Sequence, residues 1–258
     1  MAVMTTLPTP LVVLFVKARG TFSTTPLKLR VPAVLADRKI PAGVLKLAVN
    51  ARGAPIRMLT GLIPPTSGSI ELLGLSMPDQ GLEIKKRIGL VPDESLLFDR
   101  LTGAEFLEFV GRMYGLARPV ARERARALLG LFELEEANKK LIAEYSKGMR
   151  KRVAMAASLI HHPDLFLMDE PFEGVDAVGA RLMKDILLDQ VRRGATIFLT
   201  SHVLEVVERL CDRVAIINEG KVVIEGTLDE LRAGSETLED VFVRVVGAEK
   251  AFERLEWL

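Results

Sequence analysis

Residues 145–152 read Tyr-Ser-Lys-Gly-Met-Arg-Lys-Arg, and they are the first of four polar stretches that decide the fold of this 258-residue chain. The other three are Leu-Phe-Leu-Met-Asp-Glu-Pro at 165–171, Gly-Val-Asp at 174–176 and Leu-Thr-Ser-His at 199–202. Each stretch begins or ends a hydrophobic segment. Short apolar strands that alternate with helices predict an α/β fold with a largely parallel sheet, in which ligands bind at the carboxyl ends of the strands.

Local signals around these stretches predict the remaining elements. We expect strands at 69–74 and 87–92, helices at about 120–132 and 177–192, and a hairpin at 214–224. Thr102 and Glu105 have the spacing of a capping box, and two more capped helices are expected after Thr227 and Thr237. The apolar face of the helix that follows Thr102 is predicted to contain Phe106, Phe109, Val110 and Met113.

Asp169, Glu170 and His202 follow directly after two apolar strands. A carboxylate at a strand end can bind Mg²⁺, and a second one beside it can orient or deprotonate a water molecule. An imidazole at the next strand end can donate a hydrogen bond to a γ-phosphate. Solvated acids that simply end a strand are the alternative interpretation of Asp169 and Glu170, but His202 after a second strand favours a functional site.

Ser146, Lys147 and Gly148 stand at the start of a predicted helix. The first turn of a helix has free N–H groups and the positive end of the helix dipole, which together favour bound anions. Ser146 adds a hydroxyl donor, and Gly148 permits close approach of a ligand to the backbone. The alternative is that Ser146 is an ordinary N-cap.

The four stretches, in this order, resemble the ATP-binding cassette (ABC) family: signature motif, Walker B motif, D-loop and switch histidine. The resemblance covers about residues 57–246. It implies that ATP and Mg²⁺ are the cofactors, with Asp169 on the metal ion, Glu170 on the attacking water and His202 on the γ-phosphate. Ser146, Lys147 and Gly148 would contact ATP held by an opposite subunit, while Asp176 would connect the two sites. Asp93 stands where the family usually has the glutamine of its Q-loop.

The same resemblance implies the fold and the partners. It implies a P-loop NTPase-type core with an N-terminal antiparallel β subdomain, an inserted helical subdomain at 98–152 and the Walker B, D-loop and C-terminal helices at 153–258. The Tyr-Ser-Lys-Gly-Met form of the signature resembles the branch that contains drug- and sodium-efflux ATPases. The expected partners are therefore a membrane permease, docked in a groove formed by Leu97, Phe98, Leu101 and Thr102, and a second ATPase subunit, identical or different.

Residues 46–54 depart from the family pattern. The phosphate loop is expected there as Gly-x-x-x-x-Gly-Lys-Thr-Thr, but the chain reads Lys-Leu-Ala-Val-Asn-Ala-Arg-Gly-Ala. Arg52 takes the place of the lysine, and Gly53 that of the hydroxyl residue that would bind Mg²⁺. Because the loop binds phosphate through a nest of N–H groups and its lysine, we expect weak ATP binding or none by the isolated chain.

Three interpretations of this departure remain open. The chain is an active exporter ATPase whose first 56 residues are atypical, a non-hydrolysing partner that lends its signature motif to another subunit, or an ABC-type module unrelated to transport. Residues 1–56 contain eight Lys or Arg and one acidic residue, a composition that translation in a shifted reading frame would explain. A surface for anionic lipid is another explanation of the same charge.

Composition excludes several other classes. No apolar run approaches the ~18 residues that cross a bilayer, and the N-terminal residues have no basic stretch typical of a secretory signal. One cysteine, Cys211, cannot form an internal disulfide, which fits a reducing compartment. With 35 basic and 34 acidic residues, the charge gives no indication of nucleic-acid binding. We expect a cytoplasmic protein, bound peripherally to the inner face of the cell membrane through its permease.

Overall fold

The computed structural model describes residues 14–17, 54–65, 69–93, 96–218, 221–232 and 234–246. Its strands are β1 (Leu14–Lys17), β2 (Ile70–Leu72), β3 (Leu75–Met77), β4 (Ile88–Val91), β5 (Leu165–Asp169), β6 (Thr196–Thr200), β7 (Arg213–Asn218) and β8 (Lys221–Thr227). Its α-helices are α1 (Ala54–Leu59), α2 (Gly81–Lys86), α3 (Gly103–Met113), α4 (Arg118–Leu131), α5 (Lys147–Leu159), α6 (Ala177–Arg192), α7 (Leu204–Leu210), α8 (Leu228–Leu231) and α9 (Leu238–Val246). Two short 3₁₀ helices, Glu136–Lys139 and Ile142–Glu144, lie between α4 and α5.

Within the described residues, the main sheet has six strands in the order β4-β5-β6-β1-β7-β8. Strands β4, β5 and β6 are parallel, which confirms the α/β fold predicted from alternating strands and helices. The sheet continues with antiparallel pairs from β6 through β1 and β7 to β8, and it is therefore mixed. A separate antiparallel hairpin is formed by β2 and β3. Most of the atypical N-terminal segment, residues 1–56, lies outside the described residues, and the predicted N-terminal antiparallel β subdomain stays a prediction.

The parallel strands are covered on both faces. Phe166 and Met168 of β5 point into one apolar cluster, and Leu165 and Leu167 point into the other. All four side chains are fully buried. Burial on both faces explains why β5 reads as a continuous apolar run, and it fixes the position at which Asp169 leaves the core.

Helix α3 presents a different face to the core than the sequence predicts. Its capping box from Thr102 to Glu105 is confirmed, and Phe106 is buried as expected. The prediction is wrong for Phe109 and Met113, which are 41% and 71% exposed. The buried face instead contains two glycines that allow close helix packing: a Cβ at Gly111 would lie 3.1 Å from the Cβ of Ala121 in α4.

The elements after α5 agree closely with the expected ones. Helix α6 begins at Ala177 and ends at Arg192, and strands β7 and β8 form the predicted hairpin. Thr227 caps α8 with Glu230, and Thr237 caps α9 with Asp240. Among the described residues, no helix is both long enough and apolar enough to cross a lipid bilayer.

His161 joins the C-terminal ends of α3 and α5 to the sheet. Its ring stacks on Tyr114 with 3.5 Å between the ring centroids, and its Nε2 lies 3.0 Å from the carbonyl oxygen of Ile88. The Nδ1 atom is buried and has no hydrogen-bond partner in the described part of the chain. Burial is the main reason that the pKa of His161 falls from its usual 6.5 to about 4.

This histidine predicts acid-sensitive stability. The unfolded chain takes up the proton near pH 6.5 and the folded chain only near pH 4, so the free energy of unfolding should fall as the pH falls through this window. We expect His161→Phe to reduce the loss by about 1–2 kcal/mol, because the ring can still stack but no longer titrates. Urea unfolding between pH 7 and 4.5 measures the effect, with His162→Asn as the control. Equal pH slopes in the wild type and His161→Phe would contradict the assignment.

Candidate active site

Asp169 and Thr200 end two neighbouring parallel strands. They are paired in the β5–β6 register, and the hydroxyl of Thr200 donates a hydrogen bond to Oδ1 of Asp169. Burial raises the pKa of Asp169, although the hydrogen bond from Thr200 opposes the rise. The carboxylate is thus held at the sheet edge by its neighbour in the next strand.

Glu170 is fixed by the backbone as well as by its side chain. Its N–H donates to the carbonyl of Thr200 at 3.0 Å, and its φ of 44° lies in the left-handed region. The carboxyl group is nearly buried, and Nδ1 of His202 lies 2.9 Å from its Oε1 atom. Burial raises the pKa of Glu170, while the contact with His202 lowers it. A carboxylate with a raised pKa is a better general base near neutral pH.

The structure therefore brings Asp169, Glu170 and His202 together at two adjacent strand ends. His202 is 56% exposed at its side chain, so the imidazole contacts Glu170 on one side and solvent on the other. This arrangement can hold a cation at Asp169 and a water molecule near Glu170. It also leaves the exposed part of the His202 ring accessible to an anion.

Ser146 and Gly148 lie at the N-terminal end of α5. The hydroxyl of Ser146 accepts a hydrogen bond from the N–H of Met149 at 3.2 Å, so Ser146 serves as the N-cap. A Cβ at Gly148 would lie 3.1 Å from the carbonyl oxygen of Gly174. The helix end is therefore in direct contact with the turn that leads to Asp176.

Asp176 caps the next helix. Its Oδ1 accepts a hydrogen bond from the N–H of Gly179 at 2.9 Å, and this bond is the main reason that the pKa of Asp176 is lowered. Asp93 follows β4, and its negative charge contributes to the raised pKa of Asp169. Arg52, predicted at the phosphate loop, lies outside the described residues.

Four basic residues near the start of α5 each contact a different part of the chain. Their partners are the carboxylate of Glu173 for Lys147 (2.7 Å), the carboxylate of Asp99 for Arg150 (2.7 Å), the carbonyl of Asp93 for Lys151 (2.8 Å) and the carbonyl of Phe132 for Arg152 (3.1 Å). Cations at a helix N-terminus are disfavoured by the helix dipole. Four basic residues at the start of one helix therefore indicate that each binds an acceptor elsewhere in the protein.

Lys147 has a partner that the sequence did not reveal. Its stem lies against Gly174, where a Cβ would come within 2.6 Å of Cδ, and its ammonium binds Glu173. This contact raises the pKa of Lys147 and lowers that of Glu173. The sequence predicts Lys147 as a nucleotide contact, and in the structure its ammonium is paired with Glu173 of the same chain.

The donor set at Asp169 fits Mg²⁺. The described residues contain no group of three or more His, Cys, Asp or Glu side chains that could enclose a metal ion. Magnesium commonly uses one or two carboxylates and takes its other oxygens from water and substrate phosphates. A single half-buried carboxylate, oriented by Thr200, matches that requirement.

Comparison with known proteins decides the family. The daunorubicin resistance ATP-binding protein DrrA3 of Streptomyces coeruleorubidus is 35% identical over 217 residues, which are 82% of this chain and 68% of the relative. The ABC transporter ATP-binding protein NatA of Bacillus subtilis is 37% identical over 187 residues, 72% of this chain and 76% of the relative. This chain belongs to the ABC transporter family. The model of the family described as "ABC transporter" matches residues 55–173 of this chain.

A solved structure supports the fold of the cassette. The structure of an ATP-binding subunit of an ABC transporter has a TM-score of 0.71 and 26% identity, covering 90% of this chain and 99% of that one. Across eight curated relatives, the matched part ranges from 52% to 76% of the relative's length, and in six of them it is below two thirds. The cassette fold and the family are established by these similarities.

Proposed function

We propose that this chain is the ATP-binding subunit of an exporter, which couples ATP binding and hydrolysis to transport through a separate membrane subunit. The observation that carries the proposal is the contact of Glu170 with His202 beside Asp169, at two adjacent strand ends of an ABC-family chain. The relative DrrA3, a daunorubicin resistance ATP-binding protein, supports an exporter branch. A cytoplasmic location, peripheral on the inner face of the membrane, follows from this role.

Each residue at the strand ends has one role in the proposal. Asp169 would hold Mg²⁺, which neutralises phosphate charge when bound. Glu170 would orient the attacking water and accept its proton, for which its raised pKa is suited. His202 would donate a hydrogen bond to the γ-phosphate from the exposed part of its ring.

The N-terminal end of α5 would act on ATP held by a second ATPase subunit. Ser146, Lys147 and Gly148 would face that ATP, and Asp176 would lie at the interface between the two sites. The contact of Gly148 with Gly174 supports this part, since it places both segments on one side of the chain. We further propose that residues 98–152 form the inserted helical subdomain and that 153–258 contain the Walker B motif, the D-loop, the switch histidine and the C-terminal helices.

A second candidate function is favoured by residues 46–54. Their sequence lacks both glycines, the lysine and the hydroxyl residue of the family's phosphate loop. In this alternative the chain hydrolyses no ATP itself and lends Ser146 and Gly148 to a subunit with an intact loop. Direct titration with Mg-ATP separates the two candidates.

An apolar patch on the helical part is the proposed contact with the membrane subunit. The patch consists of Phe98, Phe109 and Met113, of which Phe98 is 51% exposed. The rings of Phe98 and Phe109 lie 5.3 Å apart, so they form one continuous surface. Leu97 and Leu101 of the expected groove pack against the core instead. Exposed aromatic groups of this kind are common at protein interfaces.

Co-purification tests both the partner and the patch. The tagged chain, expressed in its native host and extracted from membranes with detergent, should co-purify with a multi-helix membrane protein. We expect Phe98→Asp to lower the recovered partner about tenfold or more, because a charge in an apolar contact is costly. Val223→Asp, at a 43% exposed position on β8, is the matched control. Recovery with ribosomes or nucleic acid in place of a membrane protein would contradict the exporter function.

A further inference from the structure

Lys151 is a cation buried inside the protein. Only 2% of the residue is exposed, yet its Nζ donates to the carbonyl oxygens of Asp93 at 2.8 Å and Pro92 at 3.3 Å. Among the described residues no carboxylate accepts a hydrogen bond from it. Burial lowers the pKa of Lys151, and the nearby charges of Asp93, Glu173 and Asp169 oppose that change.

A buried ammonium group is costly unless its donors are satisfied. An apolar side chain of similar length would fill the same space without that cost. The two carbonyl bonds compensate Lys151 only because the chain after β4 is held in place to provide them. The charge of Lys151 therefore serves to hold that segment in position rather than to fill space in the core.

The segment concerned connects the two proposed working surfaces. Residues 92–93 and 96–101 lie between β4 and α3 and include Phe98 of the apolar patch, and α5 begins next to Ser146 at the proposed phosphate contact. Arg150 also links them through Asp99, but that carboxylate is 58% exposed and such pairs contribute little. Lys151 provides the buried link between the segment and the helix.

We propose that Lys151 is a positioning residue that fastens residues 92–93, and through them residues 96–101, to α5, so that the apolar patch and the N-terminal end of α5 move as one body. The proposal rests on the proposed function in assigning roles to those two surfaces. The mechanical link itself does not require that the chain bind or hydrolyse ATP. It predicts that loss of the Lys151 donors loosens this segment selectively.

Hydrogen–deuterium exchange of the full chain tests the link. The N–H of Leu101, bonded to the carbonyl of Phe98 at 3.0 Å, is the reporter. In Lys151→Met we expect amides of residues 96–101 to exchange at least about tenfold faster, as the loss of a charged hydrogen bond implies. Amides of β7 and β8 should be unchanged. Lys151→Arg, which keeps the charge and the donors, should restore slow exchange, and the exposed Lys140→Met should behave as wild type.

Two results would overturn the proposal: unchanged exchange at 96–101 in Lys151→Met, or an equal increase there and in β7 and β8. Should Lys151→Met fail to fold, Lys151→Leu removes the donors in the same way, and unchanged exchange at 96–101 in that variant would equally overturn the proposal. The exchange experiment contains no ATP, so its outcome does not depend on hydrolysis. If the wild-type chain hydrolyses no ATP, that result contradicts only the proposed function.

Discussion

The isolated chain is expected to bind Mg-ATP with a dissociation constant above about 100 μM, because it lacks groups worth several kcal/mol at ~1.5–3 per charged hydrogen bond. Five substitutions rebuild the family pattern at 46–54: Lys46→Gly, Ala51→Gly, Arg52→Lys, Gly53→Thr and Ala54→Thr. The rebuilt chain should bind at least about a hundredfold more tightly. A compact ammonium, a metal-binding hydroxyl and flexible glycines are then all present.

Isothermal titration calorimetry measures both affinities. Arg52→Lys alone is the matched control. It should restore only a small part of the affinity, because a lysine adds little phosphate binding when the nest of backbone N–H groups is missing. Micromolar binding by the unaltered chain would show that its own residues 46–54 suffice. That result would remove the reason for the second candidate function.

Hydrolysis by the rebuilt chain should fall about 10²–10⁴-fold on Glu170→Gln, the range that loss of a general base produces. The amide is nearly the same size and cannot accept the proton of the attacking water. Affinity for Mg-ATP should be retained, because Asp169 and Thr200 are untouched. Steady-state phosphate release and calorimetry on the same preparation measure the two effects.

Glu205→Gln is the control for that experiment. Glu205 is exposed on α7, where it pairs with Arg209, and its loss should leave hydrolysis unchanged. Full hydrolysis by the Glu170→Gln variant would mean that another group accepts the proton. Loss of affinity together with loss of hydrolysis would mean that Glu170 acts in binding.

The sequence was most informative where the chain is buried on both faces or capped locally. Strand β5 reads as an apolar run because both of its faces are covered, and the capping box of Thr102 needs only residues three positions apart. The strand ends could therefore be located, and with them Asp169 and His202. Their proximity followed from the parallel order of β5 and β6.

Contacts between distant residues could not be predicted. Lys147 and Glu173 are 26 residues apart, and Lys151 reaches a carbonyl 58 residues earlier, so neither partner leaves a local pattern. The exposed side of α3 cannot be predicted either, because apolar spacing does not reveal that glycines lie in the packed face. The antiparallel pairs around β1 depend on strand order, which no single segment encodes.

The backbone at Glu170 has a consequence for how this protein can change over time. A residue other than glycine with φ near 44°, and a nearly buried carboxyl group, each make the folded state less favourable than it could be. A glycine or asparagine would relieve the first, and a neutral side chain the second. Selection for thermal stability alone would therefore replace Glu170 early, whereas selection for catalysis would keep it. The residue found at this position in later variants of the chain records which of the two has acted.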